Sequence, residues 1–229
     1  MQWKLYVTTP ETDAPDSVLI YVYDPMCSWC YGFRATWKSL KANLPERLPV
    51  VSLLGGLASD SDTPMPDEMV DHLKRTWGRI ESTCGVEFNY AYWNQTPPPP
   101  RTTFISCRAV VTAERLAGRG EAFGERIQDA YYTEARNVWD FDVLCELAEE
   151  FGFNRDSFAE ALASDDVRAV HDEQRQLAER LQVEGYPSVL LIHKGEAFPI
   201  AVRHRGADLF GGWPSDGGAQ PCGGAGACA

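Results

Sequence analysis

The segment SVLIYVYDPMCSWCYGF, residues 17–33, joins an apolar strand to a pair of cysteines. Six of its first seven residues are aliphatic or aromatic, and three of these are β-branched, which is typical of a buried strand. An Asp-Pro pair follows, and the apolar spacing from Trp29 onward predicts an amphipathic helix that begins close to Cys27. A second apolar run over 48–54 ends at two glycines and predicts another strand. The order strand, helix, strand indicates a parallel pair of strands with a helical crossover.

Cys27-Ser28-Trp29-Cys30 lies at the predicted junction between strand and helix. The free amides and the positive dipole end of a helix N-terminus favour a thiolate, and the thiolate is the nucleophile of disulfide exchange. Two intervening residues allow the second thiol to reach the first. We therefore expect Cys27, the more exposed sulfur at the helix start, to attack a disulfide. Cys30, one turn further in and more buried, would displace the product.

Other interpretations of the pair stay open at this stage. A structural zinc site needs two further ligands, but the nearest second pair is Cys222 and Cys228 in a glycine-rich tail, and the histidines form no ligand motif. The pair could also be two incidental buried cysteines. We expect no metal and no cofactor. Asp24, three residues before Cys27, either caps the helix, relays protons or is a turn residue before proline.

The rest of the chain predicts a helical middle and a final hairpin. The first of these helices is predicted to begin near Pro66, which would lie in its first turn. Four further helices are predicted over 103–116, 121–135, 140–151 and 164–183. Gly185-Tyr186-Pro187 ends this block. Strands over 188–193 and 198–203 follow, with Pro199 favouring an edge position. Beyond residue 206 glycine is frequent and apolar periodicity is lost, which predicts a flexible tail.

Composition excludes several function classes. The formal net charge is -12 and basic residues are scattered, which argues against a nucleic-acid partner. No apolar stretch reaches the roughly 20 residues that cross a bilayer, so we expect no membrane association. The N-terminal residues lack the pattern of a secretory signal, and we expect a cytoplasmic location. A close cysteine pair in that reducing compartment is more often catalytic or metal-binding than structural.

Four separated motifs are similar to one family. The segment 24–33 resembles the active-site segment of the DsbA-like thioredoxin superfamily, particularly its cytoplasmic FrnE-like branch. Gly55-Gly56-Leu57, Ser106-Cys107-Arg108-Ala109 and Val183-Glu184-Gly185-Tyr186-Pro187-Ser188 resemble the same branch. The resemblance implies an α/β thioredoxin fold with a large helical insertion. The expected division is a core of 1–57 and 184–210, an insertion of 58–183, and a flexible tail of 211–229 that carries two cysteines.

The resemblance also implies a function, a thiol–disulfide oxidoreductase that works as reductase, isomerase or oxidase. In that family pattern Cys27 is the nucleophile and Cys30 resolves the mixed disulfide. A cis Pro187 faces the cysteines, and Trp29 with the Tyr186–Pro187 backbone positions an extended substrate. The expected partners are proteins with disulfides or thiols, and glutathione or a thioredoxin-type reductant. A glutathione-dependent isomerase or transferase and a non-enzymatic metal-binding module are the alternatives.

The five cysteines outside the pair fall into two groups. Cys107 and Cys145 lie on predicted helices among apolar residues and are expected to be small buried core residues, whereas Cys84 precedes a glycine and is expected to be partly exposed. Cys222 and Cys228 are either an auxiliary redox pair or two solvated thiols.

Overall fold

The computed structural model describes residues 16–202. Sequence predictions for residues 1–15 and 203–229, including the flexible tail and the auxiliary pair Cys222 and Cys228, lie outside the described part. Among the described helices, none has both the length and the apolar character to cross a bilayer.

Four strands form one sheet in the order β2-β1-β3-β4, with β1 Ser17–Tyr23, β2 Val50–Leu54, β3 Ser188–His193 and β4 Glu196–Ile200. β1 pairs in parallel with β2 and antiparallel with β3, which itself pairs antiparallel with β4. The parallel pair and the hairpin are as predicted. β4 begins two residues before the predicted start because Lys194 and Gly195 alone make the turn, both with positive φ. Pro199 lies on the edge strand.

Seven α-helices and one 3₁₀ turn fill the described chain: α1 Ser28–Ala42, α2 Asp67–Cys84, the 3₁₀ turn Tyr90–Asn94, α3 Phe104–Ala117, α4 Gly120–Tyr132, α5 Phe141–Glu150, α6 Arg155–Ala163 and α7 Asp165–Arg180. Pro66 is the N-cap of α2 and not a first-turn residue. Asp140 caps α5 as predicted, accepting from the amides of Asp142 and Val143. The sequence analysis missed α6. The local sequence signal for this helix is its N-cap Asn154, whose side chain accepts a hydrogen bond from the Ser157 amide.

The two faces of the sheet are covered differently. We call one the aliphatic face, where α7 packs on the strands through only small and branched side chains: Val18, Ile20, Val22, Val51, Leu53, Leu177, Ala178, Leu181, Leu190 and Ile192. We call the other the aromatic face, where Leu19, Tyr21 and Tyr23 of β1 meet α1 and the helical block. The division into core and insertion stays a prediction, but α7, assigned to the insertion, packs directly on the sheet.

Three ion pairs join α1 to α4, and we call them the α1–α4 ladder. Arg34 Nη1 lies 2.6 Å from Asp129 Oδ1, Lys38 Nζ lies 2.7 Å from Glu125 Oε2, and Lys41 Nζ lies 2.5 Å from Glu121 Oε2. Their spacing follows one face of each helix, with the two helices running in opposite directions. The ladder thus lies along the contact between the helix that carries Cys30 and the helical block.

Candidate active site

Cys27 is the N-cap of α1, and its sulfur faces the loop before β3. Its backbone is extended, and Cys27 Sγ lies 3.5 Å from the carbonyl oxygen of Tyr186, within hydrogen-bonding distance for a thiol. The sequence placed Cys27 where exposure is greatest, yet only 4% of the residue is exposed, because this loop covers it. Cys30 is fully buried, so Cys27 is still the more exposed of the two cysteines, as predicted.

Cys30 lies inside the first turn of α1 and is hydrogen-bonded to Cys27. Burial raises the pKa of the Cys30 thiol well above its usual range, and the hydrogen bond and charge of Cys27 add to this rise. The proton is therefore held on Cys30, while Cys27 lies at the N-terminus of α1, where unpaired amides and the helix dipole face outward.

The Tyr186–Pro187 peptide is cis and borders Cys27. The Tyr186 ring extends to the end of β2, where Gly55 leaves room for it. A Cβ on Gly55 would lie about 2.0 Å from the Tyr186 ring, far inside any real contact. Burial raises the pKa of Tyr186, so its hydroxyl stays protonated at neutral pH. The glycine pair that sequence analysis noticed as a family motif therefore has a steric role.

Two polar side chains of α7 hold the end of β2. The Leu54 amide donates to Gln174 Oε1 at 2.8 Å, and His171 Nε2 lies 3.0 Å from the Gly55 carbonyl oxygen. Burial lowers the pKa of His171 to about 4. The imidazole is therefore neutral at pH 7, and Nε2 carries the proton that it donates to Gly55. Sequence analysis missed both residues, because they are isolated polar positions on a helix.

Asp24 is fully buried behind the cysteine pair. Its Oδ1 accepts from the Met26 amide at 2.7 Å and its Oδ2 from the Leu57 amide at 2.8 Å, and the Thr103 side chain also bonds to it. Burial raises its pKa and these bonds act against the rise. No side chain caps α1, so of the alternatives for Asp24 the helix cap is wrong.

Three further cysteines lie within the described residues. Cys107 and Cys145 are buried as predicted, and Cys84 is half-buried. Cys107 is hydrogen-bonded to Asp24, and burial followed by the Asp24 charge raises its pKa. Trp29 is half-buried against the aromatic side of the core. Within residues 16–202, no three His, Cys, Asp or Glu side chains cluster in a way that would hold a metal ion.

The family model of the DSBA-like thioredoxin domain matches residues 18–206. The chain belongs to the DsbA-like thioredoxin family. Its sheet order, helical content and cysteine position agree with this membership, and the expected thioredoxin fold with a large helical component is confirmed.

Two curated relatives and two solved structures are similar to this DsbA-like chain. The ClpXP adapter protein SpxH of Bacillus subtilis is 28% identical over 183 residues, covering 78% of this chain but only 60% of SpxH. The uncharacterized protein YwbO of the same organism is 34% identical over 167 residues, 70% of this chain and 78% of YwbO.

The structural neighbours are named for disulfide chemistry. A putative protein disulfide isomerase from Nitrosomonas europaea has a TM-score of 0.75 and 25% identity, covering 84% of this chain and 93% of the other. The cytosolic disulfide reductase DsbM from Pseudomonas aeruginosa has a TM-score of 0.68 and 29% identity, covering 80% and 89%. DsbM has also been solved with GSH. Both neighbours share the fold of this chain, in agreement with the family model.

Proposed function

We propose that this protein is a dithiol–disulfide oxidoreductase that uses Cys27 as nucleophile and Cys30 as resolving thiol, and that it works as a reductase. The observation that carries the proposal is the position of the pair: Cys27 is the N-cap of α1 beside the Tyr186 carbonyl, and Cys30 is fully buried in the first turn. A helix N-terminus favours the thiolate that attacks a disulfide, and the buried second thiol lies close enough in sequence to resolve the mixed disulfide.

Reduction takes two exchange steps. The Cys27 thiolate attacks a substrate disulfide, forming one S–S bond to the substrate and releasing the other substrate sulfur as a thiolate. Cys30 then loses its proton and attacks Cys27. The Cys27–Cys30 bond forms, the Cys27–substrate bond breaks, and the second substrate thiol leaves. The substrate gains two electrons and the protein pair is oxidised.

Trp29, Tyr186 and Pro187 are the proposed substrate-positioning residues. The Tyr186 carbonyl oxygen faces the Cys27 sulfur, so a substrate cysteine in a mixed disulfide comes next to this stretch of backbone. An extended substrate segment there can pair with the main chain of the loop, as in other strand additions. The half-buried indole of Trp29 lies in the same first turn of α1 as the pair and offers an apolar contact to the substrate.

Asp24 is proposed as a positioning residue. One oxygen holds the Met26 amide, directly before Cys27, and the other holds the Leu57 amide beyond β2. The carboxylate thus joins the cysteine loop to the strand end on which Tyr186 packs. Because these donors already occupy its oxygens, Asp24 serves better as a fixed anchor for the loop than as a carrier of protons.

The choice of reductase is supported by the likeness to DsbM, which is named a cytosolic disulfide reductase. We propose the same compartment here. Glutathione or a thioredoxin-type protein would return electrons to the oxidised pair. The DsbM structure with GSH supports the first of these. Proteins with accessible disulfides are the proposed substrates.

A glutathione-dependent isomerase or transferase is the main alternative, and the second cysteine distinguishes it from the proposed dithiol mechanism. Such chemistry needs one thiol, whereas here the second thiol is buried and hydrogen-bonded to the first. The metal-binding module would need ligands beyond the pair, and the described residues bring none into a cluster.

Trapping distinguishes these functions. Cys30→Ser should accumulate mixed disulfides with an oxidised protein substrate such as insulin, visible on non-reducing gels and removed by dithiothreitol. Cys27→Ser should trap nothing and lose insulin reduction altogether, since the remaining thiol is buried. Cys145→Ser is the matched control, a buried cysteine remote from the pair in sequence and on another helix, and should behave as the parent does. Full turnover in Cys30→Ser without trapping would instead favour the glutathione-dependent alternative.

A further inference from the structure

A small cavity lies on the inner side of Cys30, opposite the Tyr186 loop. Its volume is about 20 Å³, and its walls come from β1, α1 and α4: Tyr21, Tyr23, Cys30, Arg34, Trp37, Glu121, Glu125 and Gln128. About 10–15 Å³ of such space suffices for one water molecule, provided that polar groups surround it. The cavity has the volume for one water molecule. Most of its wall is apolar, but the residues that line it include groups that can bond to water: one thiol, two phenols, one amide and two carboxylates.

The Tyr23 hydroxyl makes this cavity unusual. It is buried and has no hydrogen-bond partner among residues 16–202. It faces α4 closely, because a Cβ built on Gly124 would lie 2.7 Å from it. The charge of Glu121, three residues earlier on α4, is the strongest charge acting on it. A buried hydroxyl without a protein partner costs about 1–3 kcal/mol unless water satisfies it.

Glu121 connects the cavity to solvent. Its Oε1 accepts from Trp37 Nε1 at 3.0 Å and its Oε2 accepts from Lys41 Nζ in the α1–α4 ladder. The side chain is 36% exposed, so a proton taken up inside can leave at the surface. Asp24 differs from Glu121 in its exposure, because it is fully buried and so does not offer the same route to solvent.

We propose that this cavity is the proton exit of Cys30, with Glu121 as the acceptor through one water molecule. The inference rests on the proposed function, because it concerns the second exchange step. There the Cys30 S–H bond breaks, its proton passes through the cavity water to the Glu121 carboxylate and on to bulk solvent. The sulfur electron pair forms the Cys27–Cys30 bond while the substrate sulfur leaves as a thiolate.

The need for such an exit follows from the burial of Cys30. Its proton is held tightly in the resting site, and no bulk water reaches its sulfur. Positioned proton acceptors accelerate such steps by about 10²–10⁴-fold. Other titratable or charged groups also face Cys30 or Glu121, and they belong to β1, α1, α4 and the segments that adjoin them: Tyr21, Tyr23, Asp24, Cys27, Arg34, Lys41, Glu125, Tyr132 and Tyr186.

The two exchange steps can be timed separately with 5,5′-dithiobis(2-nitrobenzoate). Cys84, Cys222 and Cys228 are replaced by Ser in the full chain so that the reagent reports the pair. Attack by Cys27 releases the first thionitrobenzoate at a rate that depends on reagent concentration. Attack by Cys30 releases the second at a rate that does not. In Glu121→Gln the second phase should slow about 10-fold at about pH 6, and the loss should shrink towards about pH 9, where hydroxide replaces the acceptor.

Controls separate proton transfer from packing. Lys41→Gln breaks the same ion pair but keeps the carboxylate. Asp129→Asn breaks the pair at the other end of the ladder, and Asp129 itself does not line the cavity. In both variants the rates of the two phases should stay within about twofold of the parent's rates, because partly exposed ion pairs contribute little. Tyr23→Phe, which removes only the hydroxyl, should slow the second phase about threefold at about pH 6 and tests the cavity even if Glu121→Gln does not fold.

The outcomes are distinct. A second phase unchanged across pH in Tyr23→Phe, or in folded Glu121→Gln, overturns the proton exit and leaves the dithiol mechanism standing. If Lys41→Gln slows the second phase as much as Glu121→Gln does, the effect comes from the α1–α4 ladder, and the proposal of a proton exit is also overturned. A parent protein without any concentration-independent second phase refutes the dithiol mechanism itself.

Discussion

The two faces of the sheet contrast in chemistry. On the aliphatic face the buried cluster between α7 and the strands consists of valine, isoleucine, leucine and alanine, and the polar contacts of His171 and Gln174 lie at the end of β2. The aromatic face buries tyrosine hydroxyls, thiols and a carboxylic acid together with its apolar atoms. Buried polar groups cost free energy unless they are paired, so this face depends on hydrogen bonds as well as on apolar burial. Both faces bury apolar side chains, but the reactive groups lie on the aromatic one.

The largest stability effect is expected on the aliphatic face. Ile20 is fully buried between β2 and β3, opposite Val51 and Leu190. Ile20→Ala should lower the free energy of unfolding by about 3 kcal/mol through lost burial and a cavity, and Ile20→Val by about 1 kcal/mol. Urea unfolding measures both values. The alkylation rate of Cys27 in the folded fraction should stay constant, and a change beyond about threefold would show that the two faces are coupled.

A pH-dependent effect of similar size is expected where α7 meets β2. The folded-state pKa of His171 is lowered to about 4, so its contribution to stability is present above the unfolded pKa of about 6.5 and is lost as pH falls. The loss between about pH 6.5 and pH 4 should be about 3 kcal/mol.

His171→Gln keeps a donor for the Gly55 carbonyl and removes the titration. The difference in unfolding free energy between parent and variant, measured by urea unfolding across this range, isolates His171 from carboxyl groups such as Asp24. A constant difference would contradict the assignment.

The smallest effect is expected at the outer edge of the aromatic face. Lys38 pairs with Glu125 in the middle of the α1–α4 ladder, but its side chain is 56% exposed. Exposed ion pairs contribute about 0–1 kcal/mol, so Lys38→Gln should change stability by less than about 0.5 kcal/mol. Thermal unfolding at low and high salt checks this. A larger loss that salt suppresses would mean that charge, more than aromatic packing, holds α1 to α4.

Local signals allowed the sequence to predict much of the fold. The caps Asp140 and Ser164 bond to amides of their own helices, so a few adjacent residues were enough to place α5 and α7. The cysteine pair at the start of α1 is local in the same sense. Short α6 was missed because nine residues with mixed polarity make a weak periodic pattern.

The parts of the site that sequence did not predict depend on contacts between distant segments. His171 and Gln174 contact Gly55 and Leu54 across more than a hundred residues. The low exposure of Cys27 likewise results from Tyr186, far along the chain. No local pattern predicts such contacts, because packing of α7 and of the β3 loop creates them.

The Gly55–Tyr186 contact also constrains redesign of the substrate loop. The ring of Tyr186 occupies the volume that a side chain at position 55 would fill, so each residue determines which neighbour the other tolerates. An alanine at 55 calls for a smaller residue at 186, and a smaller residue at 186 leaves a hole at the end of β2. Variation at these two positions should therefore be paired, and a loop transplanted from a relative needs the matching end of its second strand.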